Sequence, residues 1–363
     1  MQKRAIYIYL ILIILFAQSC IKEVNPSTRQ AAPILVVEGS ITTDSIPYTV
    51  QLTYSGAIVS SSADIAESNY VKDAIVSISD NLGNTTVLKY TINGIYKTND
   101  PSYIGKVGRS YSIKVKLKNG TTYISTPEKI NNPVPISKVR GNFVNKSDMF
   151  FPTYMSVSID AKDPGSEENY YQWKFNAWIG RKTKGVPCGI GCIMLEYCYQ
   201  KYEDYTVRLL SDASINGNEI LNKTVGKTYI YSYTDPHVDI SQLSLTREAY
   251  QFWKRYDDQL TRTGSVLDPL PASIKGNVYN QSNASDFALG YFSAAGVTHK
   301  KVTLVPYGIT PFLLEITANQ FMPTKSVACF LYYPDALKYG LPPAPQNPIP
   351  VGWENAEKIK VIW

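Results

Sequence analysis

Histidine is scarce in this chain, whose 363 residues contain only two, His237 and His299. The sequence also lacks the Gly-x-Ser-x-Gly elbow of hydrolases, the His-Glu-x-x-His helix of zinc peptidases and a phosphate-binding glycine loop. His237 follows Asp-Pro, a turn-forming pair, and His299 precedes two lysines, so we interpret both as solvated side chains. We predict no enzyme and no cofactor, with a hydrolase as the alternative because spatially paired carboxylates are invisible in a sequence.

Dense basic runs are also missing from the body of the chain. Lys and Arg number 36 against 30 Asp and Glu, a net charge of +6, and no cluster indicates nucleic acid as a partner. The acidic residues Asp160, Asp163, Glu167 and Glu168 lack the interleaved spacing of a calcium loop. We interpret them as a solvated turn and predict no metal site.

The first twenty residues have the order of a secretory signal. Lys3 and Arg4 precede an apolar run over 5–17, which at 13 residues is shorter than the roughly 20 needed to span a bilayer. Ala17-Gln18-Ser19-Cys20 resembles a lipobox, whose cysteine sulfur receives a diacylglycerol and whose lipid carries chains such as palmitate. We predict a signal peptide at 1–19 and a lipid anchor on Cys20. An ordinary secretory signal and an uncleaved anchor helix are the alternatives.

Four cysteines remain after Cys20, namely Cys188, Cys192, Cys198 and Cys329. An even number in an exported chain indicates two disulfides, whose three connectivities the sequence does not rank. Free thiols and a structural metal site are the alternatives, although paired Cys-x-x-Cys spacing is absent.

Behind the lipid cysteine the chain divides by composition. Residues 20–32 are polar and predict a flexible tether. Residues 33–132 contain short alternating runs separated by turn residues, and the prolines in Asn131-Asn132-Pro133-Val134-Pro135 predict a boundary. We therefore predict a mainly β protein, with an immunoglobulin-like or transthyretin-like β-sandwich at 33–132 and a larger β-rich domain at 133–363.

Individual elements are visible in the pattern. Residues 111–118 alternate apolar and polar side chains and lead into Asn119-Gly120, a favoured hairpin turn. Strands are also predicted around 74–78, 155–161 and 170–178, with another turn at Asn93-Gly94. One helix is predicted at 246–260, with Thr246 as its N-cap. Its apolar stripe is expected to pack into the core: Ala249, Phe252, Trp253, Tyr256 and Leu260.

Two resemblances follow from ordered motifs. Val71 to Val76, Asn93-Gly94-Ile95-Tyr96 and Gly108-Arg109-Ser110-Tyr111 resemble the small regulatory sandwich found beside carboxypeptidases. The later ordered series is Tyr250-x-Phe252-Trp253, Gln259, Leu267-Asp268-Pro269-Leu270-Pro271, Ile274 to Val278 and Leu289-Gly290-Tyr291-Phe292. This series resembles DUF4249, a family of Bacteroidota envelope lipoproteins without an established activity.

The family resemblance implies a place and a class of partner. It implies an outer-membrane lipoprotein that assists a TonB-dependent transporter by binding a nutrient or interacting with the transporter. A surface adhesin that binds matrix is the alternative, motivated by the sandwich and by 28 tyrosines. We expect display on the cell surface rather than on the periplasmic face. The family usually closes with a cysteine pair, whereas Cys329 stands alone here, which implies pairing with Cys188, Cys192 or Cys198.

Overall fold

The computed structural model describes residues 32–45, 47–55, 69–144, 154–165, 167–182, 192–194, 197–228, 235–261, 273–307, 330–332 and 356–362. One helix, α1 (Arg247–Leu260), lies within these residues. The strands are β1 (Leu35–Thr42), β2 (Thr49–Tyr54), β3 (Ile75–Asp80), β4 (Thr85–Tyr90), β5 (Ile95–Lys97), β6 (Ser110–Lys116), β7 (Thr122–Ser125), β8 (Glu128–Lys129), β9 (Ile136–Val144), β10 (Tyr154–Lys162), β11 (Tyr170–Lys182), β12 (Cys192–Met194), β13 (Tyr197–Ser211), β14 (Glu219–Thr228), β15 (His237–Leu245), β16 (Lys275–Asn280), β17 (Asn283–Tyr307), β18 (Phe330–Tyr332) and β19 (Glu357–Ile362).

The first sheet is a closed circuit of strand pairings. Its order is β1, β2, β5, β4, β3, β6, β7, β16 and β17, and β17 then pairs with β1. All of these pairs are antiparallel except β1 with β17, where Val37 lies opposite Gly290. Val37, Leu52 and Ile78 are fully buried in the core of this sheet. Each such side chain contributes about 1.5–3 kcal/mol of burial free energy.

The second sheet shares β17 with the first. Its strand order is β13, β11, β15, β17, β19, β9, β10 and β14. The segment of β17 from Leu289 to Ala295 pairs with β1, and the segment from Gly296 to Thr303 pairs with β15. Trp173, Phe175 and Ile240 are buried in the core of the second sheet. One 25-residue strand therefore connects both cores.

The predicted strand pattern around 111–118 is confirmed in detail. Tyr111, Ile113, Val115 and Leu117 are buried, and the polar residues between them face outward. The hairpin at Asn119-Gly120 is also confirmed, but its loop has three residues. The Gly120 amide donates to the Leu117 carbonyl at 2.9 Å, and only Gly120 adopts a positive φ, +89°.

The turn at Asn93-Gly94 is the two-residue type. Asn93 and Gly94 have φ values of +51° and +73°, and the Ile95 amide donates to the Ile92 carbonyl at 2.8 Å. Positive φ at both central positions matches the twist of the flanking strands, which is why this residue pair favours the turn.

The predicted helix is confirmed, and Thr246 is its N-cap, accepting a hydrogen bond from the Ala249 amide at 3.1 Å. Its apolar stripe is only partly core. Ala249 and Phe252 are buried, whereas Tyr256 and Leu260 are exposed, because the helix contacts the sheets through its first turns. In the part of the chain that the structure describes, no helix is both long and apolar enough to cross a membrane.

The mainly β class is confirmed. The finer arrangement, a sandwich at 33–132 followed by a separate domain, stays a prediction. The strands from 35–129 do not close a sheet by themselves, since β16 and the first half of β17 complete their circuit.

Candidate functional site

A buried carboxylate, Glu128, lies where β8, β16, β17 and the start of α1 meet. Its side chain accepts hydrogen bonds from the Tyr291 hydroxyl at 2.6 Å and from the Thr246 hydroxyl at 2.5 Å. The Asn277 amide is a third, longer donor at 3.4 Å. Burial raises the pKa of Glu128, and the three donors oppose that rise. Thr246 is the N-cap of α1, so the carboxylate lies near the positive end of the helix dipole.

The same cluster explains much of the motif series in the later half of the chain. Asn277 donates to the Phe292 carbonyl at 2.8 Å and accepts from the Phe292 amide at 3.0 Å. The rings of Tyr291 and Phe252 lie 4.8 Å apart. The Gly-Asn, Gly-Tyr-Phe and helix motifs thus meet around Glu128. Sequence reasoning missed Glu128 because a Pro-Glu-Lys segment between strands is typical of an exposed turn.

Two glycines of these motifs permit a close approach of main chains. A Cβ at Gly276 would lie 1.7 Å from the Gly290 carbonyl oxygen, and one at Gly290 would lie 2.3 Å from the Val37 carbonyl oxygen. Gly290 also has a φ of +81°. The cluster is 2% exposed at Glu128, so its chemistry is that of an internal support rather than a binding surface.

His299 is exposed, as predicted, and it lies between two carboxylates that the sequence did not indicate. Its Nε2 lies 3.0 Å from Asp44, and its Nδ1 lies 3.0 Å from Asp239 and 3.3 Å from the Ser241 hydroxyl. Hydrogen bonds to Asp239 and Asp44 raise the pKa of His299 to about 10. The ring is therefore an imidazolium at neutral pH and lacks the lone pair needed to take a proton from Ser241.

His237 differs from its prediction. It is the first residue of β15, it is half-buried, and its Nδ1 lies 2.8 Å from the Thr303 hydroxyl. Burial lowers its pKa, so this ring is neutral at pH 7. The pKa of His237 is thus below the ordinary histidine value of 6.5, and the pKa of His299 is above it. The contact of His299 with Asp44 also links the end of β1 to the second sheet.

The solvated-turn interpretation is wrong for Asp160 and Asp163. The Arg140 guanidinium forms an ion pair with Asp160 and donates hydrogen bonds to both of its carboxylate oxygens. These hydrogen bonds lower the pKa of Asp160 to about 2. Asp163 is 1% exposed and accepts the Tyr171 hydroxyl at 2.5 Å. Glu167 and Glu168 are exposed, as expected.

The second sheet has an open seam between β13 and β14, which we call the seam cleft. β13 pairs with β11, β14 pairs with β10, and no strand pairing joins β13 to β14 among the described residues. Near the hairpin end, the Lys223 side chain of β14 donates from Nζ to the Leu209 carbonyl of β13 at 3.0 Å. Farther along the two strands separate around a cleft of about 720 Å³. It is lined by Lys201, Tyr202, Glu203, Asp204, Tyr205, Thr206 and Lys227.

Tyr205 is 82% exposed and is an aromatic residue of the seam cleft. Its hydroxyl donates to Glu203 at 2.7 Å, and Lys201 pairs with the same carboxylate. These donors lower the pKa of Glu203. Lys227 faces from β14 and lies 5.8 Å above the Tyr154 ring. The cleft combines exposed aromatic surface, charges of both signs and adjacent strand edges, which is the chemistry of a binding surface. No sequence motif pointed to it.

The predicted cysteine sites are largely outside the described residues. Cys20, Cys188 and Cys329 fall there. Cys192 begins β12 and Cys198 lies on β13. β12 pairs with β18, a strand that starts one residue after Cys329. In the described part of the chain, no three His, Cys, Asp or Glu side chains gather in a metal-like group.

Comparison with protein families gives one match. A family described as a domain of unknown function, DUF4249, matches residues 21–301. A comparison with curated proteins finds no match.

Proposed function

Since this chain belongs to the DUF4249 family, we propose that it is an outer-membrane lipoprotein that assists a TonB-dependent transporter, as the family resemblance implied. The leader at 1–19 and the lipobox-like segment before Cys20 support export and lipid anchoring. The family match begins at residue 21, directly after the proposed lipid cysteine. Both observations support a mature chain that starts at the lipid cysteine, Cys20, and continues through the polar tether.

The observation that carries a binding role is the seam cleft. Strand edges that face each other without pairing present main-chain donors and acceptors to an incoming group. Tyr205 adds a large aromatic surface at low conformational cost, and the lysines and carboxylates around it supply polar contacts. We assign nutrient binding or transporter contact to this cleft.

The anchor is tested by Cys20→Ala in the natural host. The variant is expected to leave the membrane fraction, to lose palmitate labelling and to lose uptake of the nutrient that the system imports. Ser27→Ala in the tether is the control, because it changes the same N-terminal segment without touching the lipobox. Unchanged membrane retention of Cys20→Ala would contradict the proposal.

The cleft is tested by Tyr205→Ser, with Tyr256→Ser on the exposed part of α1 as the matched control. Tyr205→Ser is expected to reduce copurification of a transporter, or uptake, by tenfold or more, while Tyr256→Ser leaves both unchanged. Equal effects of the two variants would remove the cleft from the proposal. Normal uptake combined with lost attachment to host matrix would instead support the adhesin.

A further inference from the structure

Two carboxylates that the proposed function does not use, Asp163 and Asp212, are buried at one end of the second sheet. Asp163 follows β10, and Asp212 follows β13. Their exposed fractions are 1% and 0%. The two side chains interact directly, and burial together with the Asp163 charge raises the pKa of Asp212. Two acids have therefore been removed from water next to each other, which is costly unless a positive group joins them.

The protein groups around this pair do not provide that positive charge. Asp163 accepts the Tyr171 hydroxyl at 2.5 Å and the Gly217 amide at 2.9 Å. Oδ2 of Asp212 has one long hydrogen bond, from the Asn169 amide at 3.4 Å. In the part of the chain that the structure describes, no N–H or O–H donor reaches its buried Oδ1. Among the described residues, neither carboxylate forms an ion pair with Lys or Arg.

Further oxygens lie beside the pair. The Asn169 side-chain nitrogen that contacts Asp212 also lies 3.1 Å from the Pro164 carbonyl and 2.8 Å from the Glu167 carbonyl. Gly165 and Gly217 hold the two loops together, because a Cβ on either would lie 3.0 Å from the Cα of the other. Two carbonyl oxygens of the 163–169 loop and the Asp212 carboxylate thus lie around the Asn169 amide group, next to the buried pair.

We propose that Asp163 and Asp212 bind a divalent cation, of which Ca²⁺ has the best-fitting chemistry, between the 163–169 and 212–218 loops. The cation would coordinate Oδ1 of Asp212 and offset both buried charges. With only two carboxylates, the remaining ligands are carbonyl oxygens and water, a mixture that Ca²⁺ accepts with six to eight ligands. Transition metals favour His and Cys ligands, and neither residue type lies in these loops.

Binding is expected to be weak and suited to an exported protein. Extracellular calcium modules have dissociation constants of about 10⁻⁴ to 10⁻³ M. The site lies apart from the seam residues 201–206, so it can be tested independently of any transporter or nutrient. Its effect would be to fix the loops at this end of the second sheet.

The test uses the full chain, purified in detergent and treated with EDTA. Adding Ca²⁺ to about ten times its dissociation constant is expected to raise Tm by about 3 °C. Mg²⁺ at the same concentration is expected to have a smaller effect, because it requires near-octahedral geometry and keeps its waters. Tb³⁺, a calcium substitute, should luminesce on tyrosine excitation because Tyr171 contacts Asp163. Excess Ca²⁺ should quench that emission.

Asp212→Asn removes one carboxylate and gives Asp163 an amide neighbour. This variant is expected to lose the Ca²⁺-dependent rise in Tm and the Tb³⁺ emission. Asp258→Asn, on the exposed face of α1, is the control and should retain both. If Asp212→Asn does not fold, the wild-type titration decides alone. The proposal would be overturned if the wild-type Tm did not change with Ca²⁺ but increased as the pH was lowered. That result would show that the two acids share a proton instead of binding a cation.

Discussion

Three neutral side chains hold the buried carboxylate of Glu128, and this makes it sensitive to substitution. Glu128→Ala would leave the hydroxyls of Thr246 and Tyr291 without their acceptor and would open a cavity, at a cost of about 3 kcal/mol. Glu128→Gln keeps the shape and one acceptor while removing the buried charge, so its cost is expected to be about 1 kcal/mol. Urea unfolding of the two variants measures the difference, and equal losses would contradict the cluster as described.

The same residue predicts a pH dependence. The pKa of Glu128 is raised in the folded protein, so the folded state holds the proton more tightly than the unfolded state. Stability from this group is therefore greatest below its ordinary pKa and falls as pH rises through the folded value. As the pH rises from the ordinary pKa of a glutamate to the raised pKa of Glu128, Glu128→Gln should lose less stability in urea unfolding than the wild type does.

His299 predicts a second pH dependence at higher pH. Its folded pKa is raised to about 10 from 6.5, so its contribution is complete below 6.5 and disappears as pH rises toward 10. The wild type should lose more Tm than His299→Gln between these pH values. High salt should shrink the difference, because the side chain is 36% exposed.

His237 is a control with the opposite sign. Its lowered pKa means that stability rises with pH up to its ordinary value of 6.5 and is constant above it. His237→Gln should therefore match the wild type in its loss of Tm between pH 6.5 and 10. If the loss of Tm between pH 6.5 and 10 disappeared in His237→Gln, the effect would belong to His237 and not to His299.

The parallel pairing of β1 with β17 depends on a glycine that has no space for a side chain. Gly290→Ala would force a Cβ to 2.3 Å from the Val37 carbonyl oxygen and would keep a φ of +81°. We expect a loss of 3 kcal/mol or more, about 1–2 kcal/mol of it from backbone strain. Gly83→Ala isolates that strain, since Gly83 has a φ of +86° and no atom within 4 Å. Equal urea midpoints for the two variants would contradict the close packing.

Local patterns predicted the elements whose causes are local. The alternation of 111–118, the Asn-Gly turns and the capped helix depend on neighbouring residues, and the structure contains each of them. The pairing of Val37 with Gly290 depends instead on contacts between segments about 250 residues apart. Period-two patterns define the face of a strand but not its partner. The burial of Glu128 and Asp212 could not be predicted for the same reason, because it arises from segments that are distant in the sequence.

At the scale of the whole molecule, β17 joins the two sheets in one continuous strand. Its first half closes the circuit of the first sheet, and its second half pairs with β15 and β19. The ion pairs of His299 with Asp44 and Asp239 add a polar link across the same junction. Disruption in one sheet should therefore be transmitted to the other, and urea unfolding should show one transition rather than two.

This shared strand predicts the behaviour of fragments. A fragment of residues 33–132 contains β1 to β8 but lacks β16 and β17, so β1 and β7 would each have one unpaired edge. Exposed edges of this kind favour aggregation, and the core would lose Val278, Ala288 and Phe292. We expect the fragment to be unfolded or aggregated by circular dichroism and NMR. Linking residues 273–296 to its C-terminus should restore cooperative unfolding. Cooperative unfolding of 33–132 alone would support the independent sandwich that the sequence pattern predicted.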